Sequence, residues 1–190
     1  MSPEQKTDSS SGCAVVLFLV VLGIGGGLMI LPSLLSCTNK AVLAEAKQNI
    51  GAMNRSQQAY FLEHNTFAKS IAALDIGIRT QTRYYNYLMR ATKTAALNYA
   101  IARSDYAYET VYLGPFQWQR RTNREIKSYV GGVFAVPATT LDPKADKSKT
   151  FTVAIACEAL RIGSTTPNPP TLVKGVPTCG AGTRDLRTRK

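Results

Sequence analysis

Residues Cys13 to His64 read CAVVLFLVVLGIGGGLMILPSLLSCTNKAVLAEAKQNIGAMNRSQQAYFLEH, and this segment indicates the fold more strongly than any other. Its first part, Cys13 to Leu35, has no charged residue, and its second part is rich in the helix-favouring Ala, Gln, Glu, Lys and Leu. At the rise of an α-helix the apolar part is about 34 Å long, which is enough to cross a bilayer core of about 30 Å. The pattern predicts one long helix, transmembrane in its first half and amphipathic in its second.

Three residues within the apolar segment predict how it packs. Gly23 and Gly27 have the GxxxG spacing, which removes side chains from one face and lets a second helix approach closely. Pro32 lacks an amide hydrogen, so we expect a kink or a loosening of the helix just before it. The leader has too little positive charge and the apolar core is too long for a typical cleaved secretory signal.

The amphipathic half carries an apolar stripe at helical spacing, which should pack on the rest of the protein. The stripe consists of Leu43, Ala46, Ile50, Met53 and Tyr60 and is interrupted by the polar Gln57. His64 at the end of this helix is most simply a residue favoured by the helix dipole, because no carboxylate or nucleophile near it completes a catalytic set.

Beyond Asn65 a single helical turn is expected around Ile71 to Leu74, and then the composition changes to runs typical of short antiparallel strands. The predicted strands are Tyr84 to Arg90, Ala95 to Ile101, Tyr106 to Tyr112, Lys127 to Val136 and Thr150 to Cys157. The segment from Gly163 onward is rich in Pro and Gly and predicts a loop that ends in a frayed basic segment, Arg184 to Lys190. Together these elements predict the α+β class.

Two of the four cysteines, Cys157 and Cys179, lie in the polar C-terminal third. A disulfide between them would close a loop of about 20 residues and indicate an oxidising compartment. Two free thiols remain an alternative, and a zinc site is disfavoured because no CxxC spacing accompanies them. Cys37 follows Leu-Leu-Ser, which is similar to a lipobox and leaves open a lipoprotein cut before Cys37.

The formal charge of +11 favours contact with polyanions such as DNA, acidic glycan or anionic lipid. One stretch places an aromatic ring beside a guanidinium cluster, which suits stacking and phosphate contact. Its residues are Trp118, Arg120, Arg121 and Arg124. The alternative is a solvated loop that Trp118 anchors to the core. We find no catalytic set, no metal-ligand spacing and no phosphate-binding glycine motif, so we expect no enzyme, no cofactor and no small-molecule substrate.

The order of parts resembles the type IV pilin superfamily, and several strings resemble the type IV pilin-like G/H proteins of cyanobacteria. These strings are Ala44 to Lys47, Met53 to Glu63, Phe67-Ala68, Ile71 to Leu74, Gly77-Ile78 and Lys127 to Phe134. The resemblance covers roughly Leu31 to Cys179. It implies a long N-terminal α-helix packed on a small antiparallel β-sheet, with a C-terminal disulfide-bounded loop.

The N-terminus departs from the pilin pattern. By the resemblance, prepilin peptidase would cut after Gly12, which makes Cys13 the first mature residue. Leu17 then stands where pilins carry a glutamate that is thought to pair with the amine of a neighbouring subunit. The processing and ordinary filament assembly implied for the family are therefore expectations that need measurement.

These patterns predict a leader in residues 1–12, a transmembrane helix in 13–35, its amphipathic continuation in 36–64, an extracytoplasmic head in 65–180 and a basic tail in 181–190. The function implied is that of a minor pilin or pseudopilin of a type IV pilus or of type II (general pathway) secretion. The chain would cross the inner membrane once, with a periplasmic C-terminal domain, and would also enter a surface filament. Expected partners are other pilin or pseudopilin subunits, inner-membrane lipid and prepilin peptidase. The alternative is a membrane-tethered or lipidated module that binds DNA or acidic glycan.

Overall fold

The computed structural model describes residues 31–105, 108–113, 115–121, 126–140, 143–146 and 148–188. Contacts divide the chain into two units, Met1–Ala41 and Val42–Lys190. Helix α1 runs over Leu31–His64 and reaches into the second unit. Short 3₁₀ turns over Ala72–Leu74 and Ala138–Thr140 accompany the strands.

A five-stranded antiparallel sheet forms the centre of the second unit, in the order β1-β2-β5-β6-β9. Its strands are β1 (Tyr85–Ala91), β2 (Ala95–Ala102), β5 (Lys127–Pro137), β6 (Thr150–Ile162) and β9 (Thr183–Asp185). The other described strands form two separate two-stranded hairpins. Strand β3 (Tyr108–Leu113) pairs with β4 (Phe116–Arg121), and β7 (Thr171–Val173) pairs with β8 (Val176–Thr178).

Helix α1 covers one face of the sheet. Ala46, Ile50 and Met53 are buried there against the aromatic rings of Tyr85 and Tyr129, which confirms the apolar stripe predicted for this part of the helix. The helix ends because Asn65 adopts a left-handed conformation, with φ of 52°, and donates its backbone N–H to the carbonyl of Phe61 at 2.8 Å.

Polar side chains fix the helix on the sheet. Gln57, which interrupts the apolar stripe, is fully buried and pairs with both backbone groups of Ala68, each at 3.0 Å. Asn54 donates to the carbonyl of Ile155 at 2.9 Å and accepts from the side chain of Asn98 at 2.9 Å. These bonds satisfy polar groups that would be costly to bury alone. Those of Asn54 fix the helix on the sheet, and those of Gln57 hold it to the segment that follows it.

Adjacent glycines in β5 let both layers approach the sheet closely. A Cβ on Gly131 would lie 2.3 Å from the side-chain oxygen of Asn54 on the helix side. A Cβ on Gly132 would lie 2.6 Å from Pro170 on the other side, which the C-terminal loop covers. Successive residues of a strand point to opposite faces. Gly131 therefore makes room for the helix on one face of the sheet, and Gly132 makes room for the C-terminal loop on the other.

The fold class predicted from the sequence, a long N-terminal helix with a transmembrane first half on a small antiparallel sheet, is wrong. The sheet has five strands and includes the 13-residue β6 and the C-terminal β9, so it is large relative to α1. Among the described residues, no helix has the length and the apolar character that crossing a bilayer requires. Most of the apolar segment, with Gly23, Gly27 and the expected kink, lies outside the described residues.

The five predicted strands are confirmed, with shifted ends, as β1, β2, β3, β5 and β6, and the helical turn near residue 72 is confirmed as a 3₁₀ turn. The prediction of a frayed basic tail is wrong where it concerns residues 184–185. Those residues belong to β9, because their backbone pairs with β6 and the Arg184 side chain forms an ion pair with the buried carboxylate of Glu158.

Candidate functional site

Glu158 on β6 is a buried carboxylate whose side chain is only 6% exposed. Cationic side chains from three elements contact it. Arg184 of β9 donates through Nε and Nη2 to Oε2 at 2.8 and 2.5 Å. Lys127 of β5 lies 3.8 Å from Oε2, and Lys47 of α1 lies 3.7 Å from Oε1. Tyr129 donates its hydroxyl to Oε1 at 3.0 Å. We call Glu158, Lys47, Lys127 and Arg184 the Glu158 cluster.

The electrostatics of the cluster favour the ionised carboxylate. Burial alone would raise the pKa of Glu158, but the hydrogen bonds from Arg184 and Tyr129, together with the charges of Lys127 and Lys47, outweigh it, and the pKa lies below its ordinary value. Burial, and then the negative charge of Glu158, raise the pKa of Tyr129. The Tyr129 hydroxyl therefore stays protonated and remains a donor.

Strand register explains how the cluster forms. Glu158 is the partner of Tyr129 across β5 and β6, and of Arg184 across β6 and β9. A register shift between Lys127 and Tyr129 alters the pairing beside them. Lys47 reaches the same point from the flank of α1, with its ammonium 5.7 Å from the centroid of the Tyr129 ring. The cluster thus joins the helix, the sheet and the C-terminal strand.

The opposite flank of α1 meets β1 through a second polar contact. The buried hydroxyl of Tyr87 accepts a hydrogen bond from Asn49 at 2.8 Å and donates one to Glu45 at 3.3 Å. Burial is the main cause that raises the pKa of Tyr87, and the negative charge of Glu45 adds to it. The helix is therefore tied to the sheet on both sides.

The predicted disulfide between Cys157 and Cys179 is confirmed, with a Cα–Cα distance of 5.8 Å. It closes the loop that covers the second face of the sheet, where Pro170 is buried. Within this loop the β7–β8 hairpin turns at Lys174 and Gly175, whose φ angles of 50° and 80° suit a tight hairpin turn. The hairpin leaves apolar side chains exposed, among them Val173 and Val176.

The residues predicted to contact a polyanion lie in a different setting from the one expected. Trp118, Arg120 and Arg121 lie on strand β4, which pairs with β3, rather than in a loop between strands. The register sets Arg120 opposite Glu109. Arg124 lies outside the described residues, as do Gly12, Cys13, Gly23 and Gly27, while Pro32 lies in α1. Polyanion contact, processing and helix packing at these positions stay predictions.

Sequence reasoning missed the Glu158 cluster because its members are far apart in the chain. One signal was available: Glu158 is an isolated acid in the otherwise uncharged run from Phe151 to Leu160, within a strongly basic chain. An acid at such a position must be paired, since burying it alone is costly. The predicted position of His64 is confirmed: it is the last residue of α1, and its ring centroid lies 4.2 Å from that of Tyr60.

Comparison with models of protein families identifies the family of this chain. The model of a family described as type IV pilin-like G and H matches residues 44–180, which is more than two thirds of the chain. The match includes most of the described part of α1 and the strands β1 to β8. Searches of curated proteins and of solved structures find no match.

Proposed function

Because this chain belongs to the type IV pilin-like G and H family, we propose that it is a structural subunit, a minor pilin or pseudopilin, of a type IV pilus or a type II secretion apparatus. The family is generally structural rather than catalytic. The observation that supports the proposal best is the way the head holds its helix. A buried bond from Asn54 and the ion pair of Lys47 fix α1 to the sheet, and the buried bond of Gln57 to Ala68 holds it to the segment that follows it.

A helix held in this way moves together with its head. In the proposed mechanism the apolar sequence of residues 13–35 lies in the inner membrane and is then transferred into the core of a filament by helix packing. Force applied to the helix would reach the sheet through the contacts of residues 42–64. The head would lie outside the cytoplasm, which agrees with the Cys157–Cys179 disulfide because such bonds persist in oxidising compartments.

Membership of a filament is the direct test of this function. Antibody detection of the chain in sheared surface filaments, or in cross-links to other pilin-like subunits in the cell envelope, is the expected result. A cytoplasmic protein of the same cells serves as the control for lysis. If the chain is absent from both fractions while other pilin-like subunits are present, the proposed function is wrong.

Processing is a separate proposal, since Leu17 replaces the glutamate of the pilin pattern. We propose that prepilin peptidase cuts after Gly12 and leaves Cys13 as the first residue. The intact mass of the chain purified from membranes should then fit a start at Cys13. A mass that includes Met1 would show an uncut chain, and a lipidated start at Cys37 would show a lipoprotein.

A further inference from the structure

The two flanks of α1 face opposite edges of the sheet. On one flank Lys47 contacts Glu158 and Gln58 donates to the carbonyl of Thr152, so this flank lies along β6 and β9. On the other flank Glu45 contacts Tyr87 of β1. A helix turns about 100° per residue, which places Glu45 and Lys47 on opposite sides of it.

The two flanks carry opposite charges. Beside β9, three cations share the one carboxylate of Glu158, and two of them remain open to solvent, Lys47 with 43% and Arg184 with 56% of the side chain exposed. Beside β1, Glu63 lies about five turns beyond Glu45 and therefore on the same flank. The Glu63 side chain is 72% exposed, with His64 3.8 Å away. The flank beside β9 thus carries an excess of positive charge, and the flank beside β1 presents the exposed carboxylate of Glu63.

We infer that copies of this chain associate side by side, with Glu63 of one copy contacting Lys47 and Arg184 of the next. This inference rests on the proposed function, because only an assembling subunit places copies in such contact. The two surfaces differ, so the contact is heterologous and each copy keeps one free surface of each kind. In parallel copies the positions of Lys47 and Glu63 along the helix set an axial offset of about 24 Å.

Glu63 suits this contact better than Glu45. Glu45 already accepts a hydrogen bond from the hydroxyl of Tyr87, whereas Glu63 is exposed in the last turn of the helix. On the cationic side, Lys47 and Arg184 both lie within 4 Å of the Glu158 carboxylate, which already restricts their conformations. These two side chains therefore lose little further conformational entropy when an acid from another copy binds them. Contact between exposed charges should also weaken as salt rises.

A charge-exchange experiment on the full-length chain in detergent tests the inference. Sedimentation measures self-association of Lys47→Glu and Glu63→Lys, each alone and in an equimolar mixture. Each variant alone should associate about tenfold more weakly than the wild type, because like charges meet at the contact. The mixture should recover association, since each chain supplies the charge that the other lacks. Arg55→Glu, on the solvent side of the same helix, is the matched control and should associate normally.

Lys47→Glu places a second carboxylate beside Glu158, so circular dichroism and thermal melting must first show that the variant folds. If it does not, Lys47→Gln takes its place, and it should still associate more weakly than the wild type. A zero-length carbodiimide cross-link between Glu63 of an unlabelled copy and Lys47 of a ¹⁵N-labelled copy should locate the contact.

Absence of that cross-link in associated wild-type chains, or unchanged association of both variants, overturns the inference. The inference is also overturned if the mixture of the two folded variants does not recover the self-association of the wild type. The proposed function fails by a different measurement, the absence of the chain from filaments and from cross-links to other pilin-like subunits. A chain found in filaments with its heads joined elsewhere would refute this contact and leave that function in place.

Discussion

A carboxylate whose side chain is 6% exposed is costly to bury unless cations and hydrogen-bond donors replace water around it. Glu158 has both, and the cost of losing them can be predicted. Glu158→Gln keeps the shape but leaves Arg184, Lys127 and Lys47 close together with no counter-charge. We expect the free energy of unfolding to fall by about 2 kcal/mol, less than for a fully buried pair because the cations are partly exposed.

Urea denaturation of the full chain measures this loss. Asp75→Asn is the control, because Asp75 is an exposed carboxylate at a positive φ that asparagine tolerates. The control should change the free energy of unfolding by less than about 0.5 kcal/mol. Equal effects of the two substitutions would show that the Glu158 cluster contributes nothing specific to the fold.

The pH dependence of stability follows from the same carboxylate. The pKa of Glu158 is lower in the folded chain than in the unfolded one, so the unfolded state binds a proton first as pH falls. The contribution of Glu158 is fully present above the unfolded carboxyl pKa of about 4.3 and is lost as pH drops through the folded pKa. The difference in the free energy of unfolding between wild type and Glu158→Gln should therefore shrink below about pH 4. Urea titrations between neutral and acidic pH measure it, and a difference that stays constant over this range would contradict the assignment.

The close approach of α1 to β5 depends on Gly131. A Cβ there would lie 2.3 Å from the Asn54 oxygen, and Asn54 cannot move away without losing its bonds to Ile155 and Asn98. Gly131→Ala should lower the free energy of unfolding by about 2–3 kcal/mol, because it forces a shift of the helix or breaks buried bonds.

Gly51→Ala is the matched control for that substitution. Gly51 lies within α1, and an added Cβ would only reach ordinary contact with the Arg55 side chain at 3.4 Å. Alanine is the better helix former, so this change should stabilise the chain by up to about 1 kcal/mol. Thermal melting of the two variants should shift in opposite directions, and shifts of the same sign would contradict the packing described for β5.

The disulfide-bounded loop is a second element whose contribution can be measured. The bridge between Cys157 and Cys179 spans 22 positions and should stabilise the fold by about 3 kcal/mol. Reduction should therefore lower the urea midpoint of the wild type. The variant Cys179→Ser should show the lower midpoint with or without reductant. A wild-type midpoint that reductant does not change would mean that the loop is held by its packing alone.

The sequence predicts the helices and strands of this molecule better than it predicts their arrangement. Strands such as β1 and β5 are rich in aromatic and β-branched residues, and these residues indicated them. Strand β4 was missed because its Gln and Arg residues and the preceding Gly-Pro favoured a loop, although FQWQ alternates aromatic and polar residues as a strand does. Strand β9 was missed because three residues are too few to show a period. Both become strands through partners that only the fold supplies.

The same limit applies to the site. Lys47 and Arg184 lie far apart in the chain, and no spacing rule connects them to Glu158. The paired cysteines were predictable because the bridge joins residues of one segment and depends on side-chain chemistry. The size of the sheet was not, since the composition of residues 163–190 gave no reason to expect an edge strand there.

Strand β9 closes one edge of the sheet with only three residues. It follows the other described strands in the chain, yet it pairs with β6 and supplies the arginine of the Glu158 cluster. A nascent head that lacks residues 183–185 would expose an open backbone edge and a buried acid short of its strongest partner. A chain truncated before Thr183 should therefore unfold at a lower urea concentration than the full chain, because it lacks both the pairing of β9 and the contact of Arg184 with Glu158.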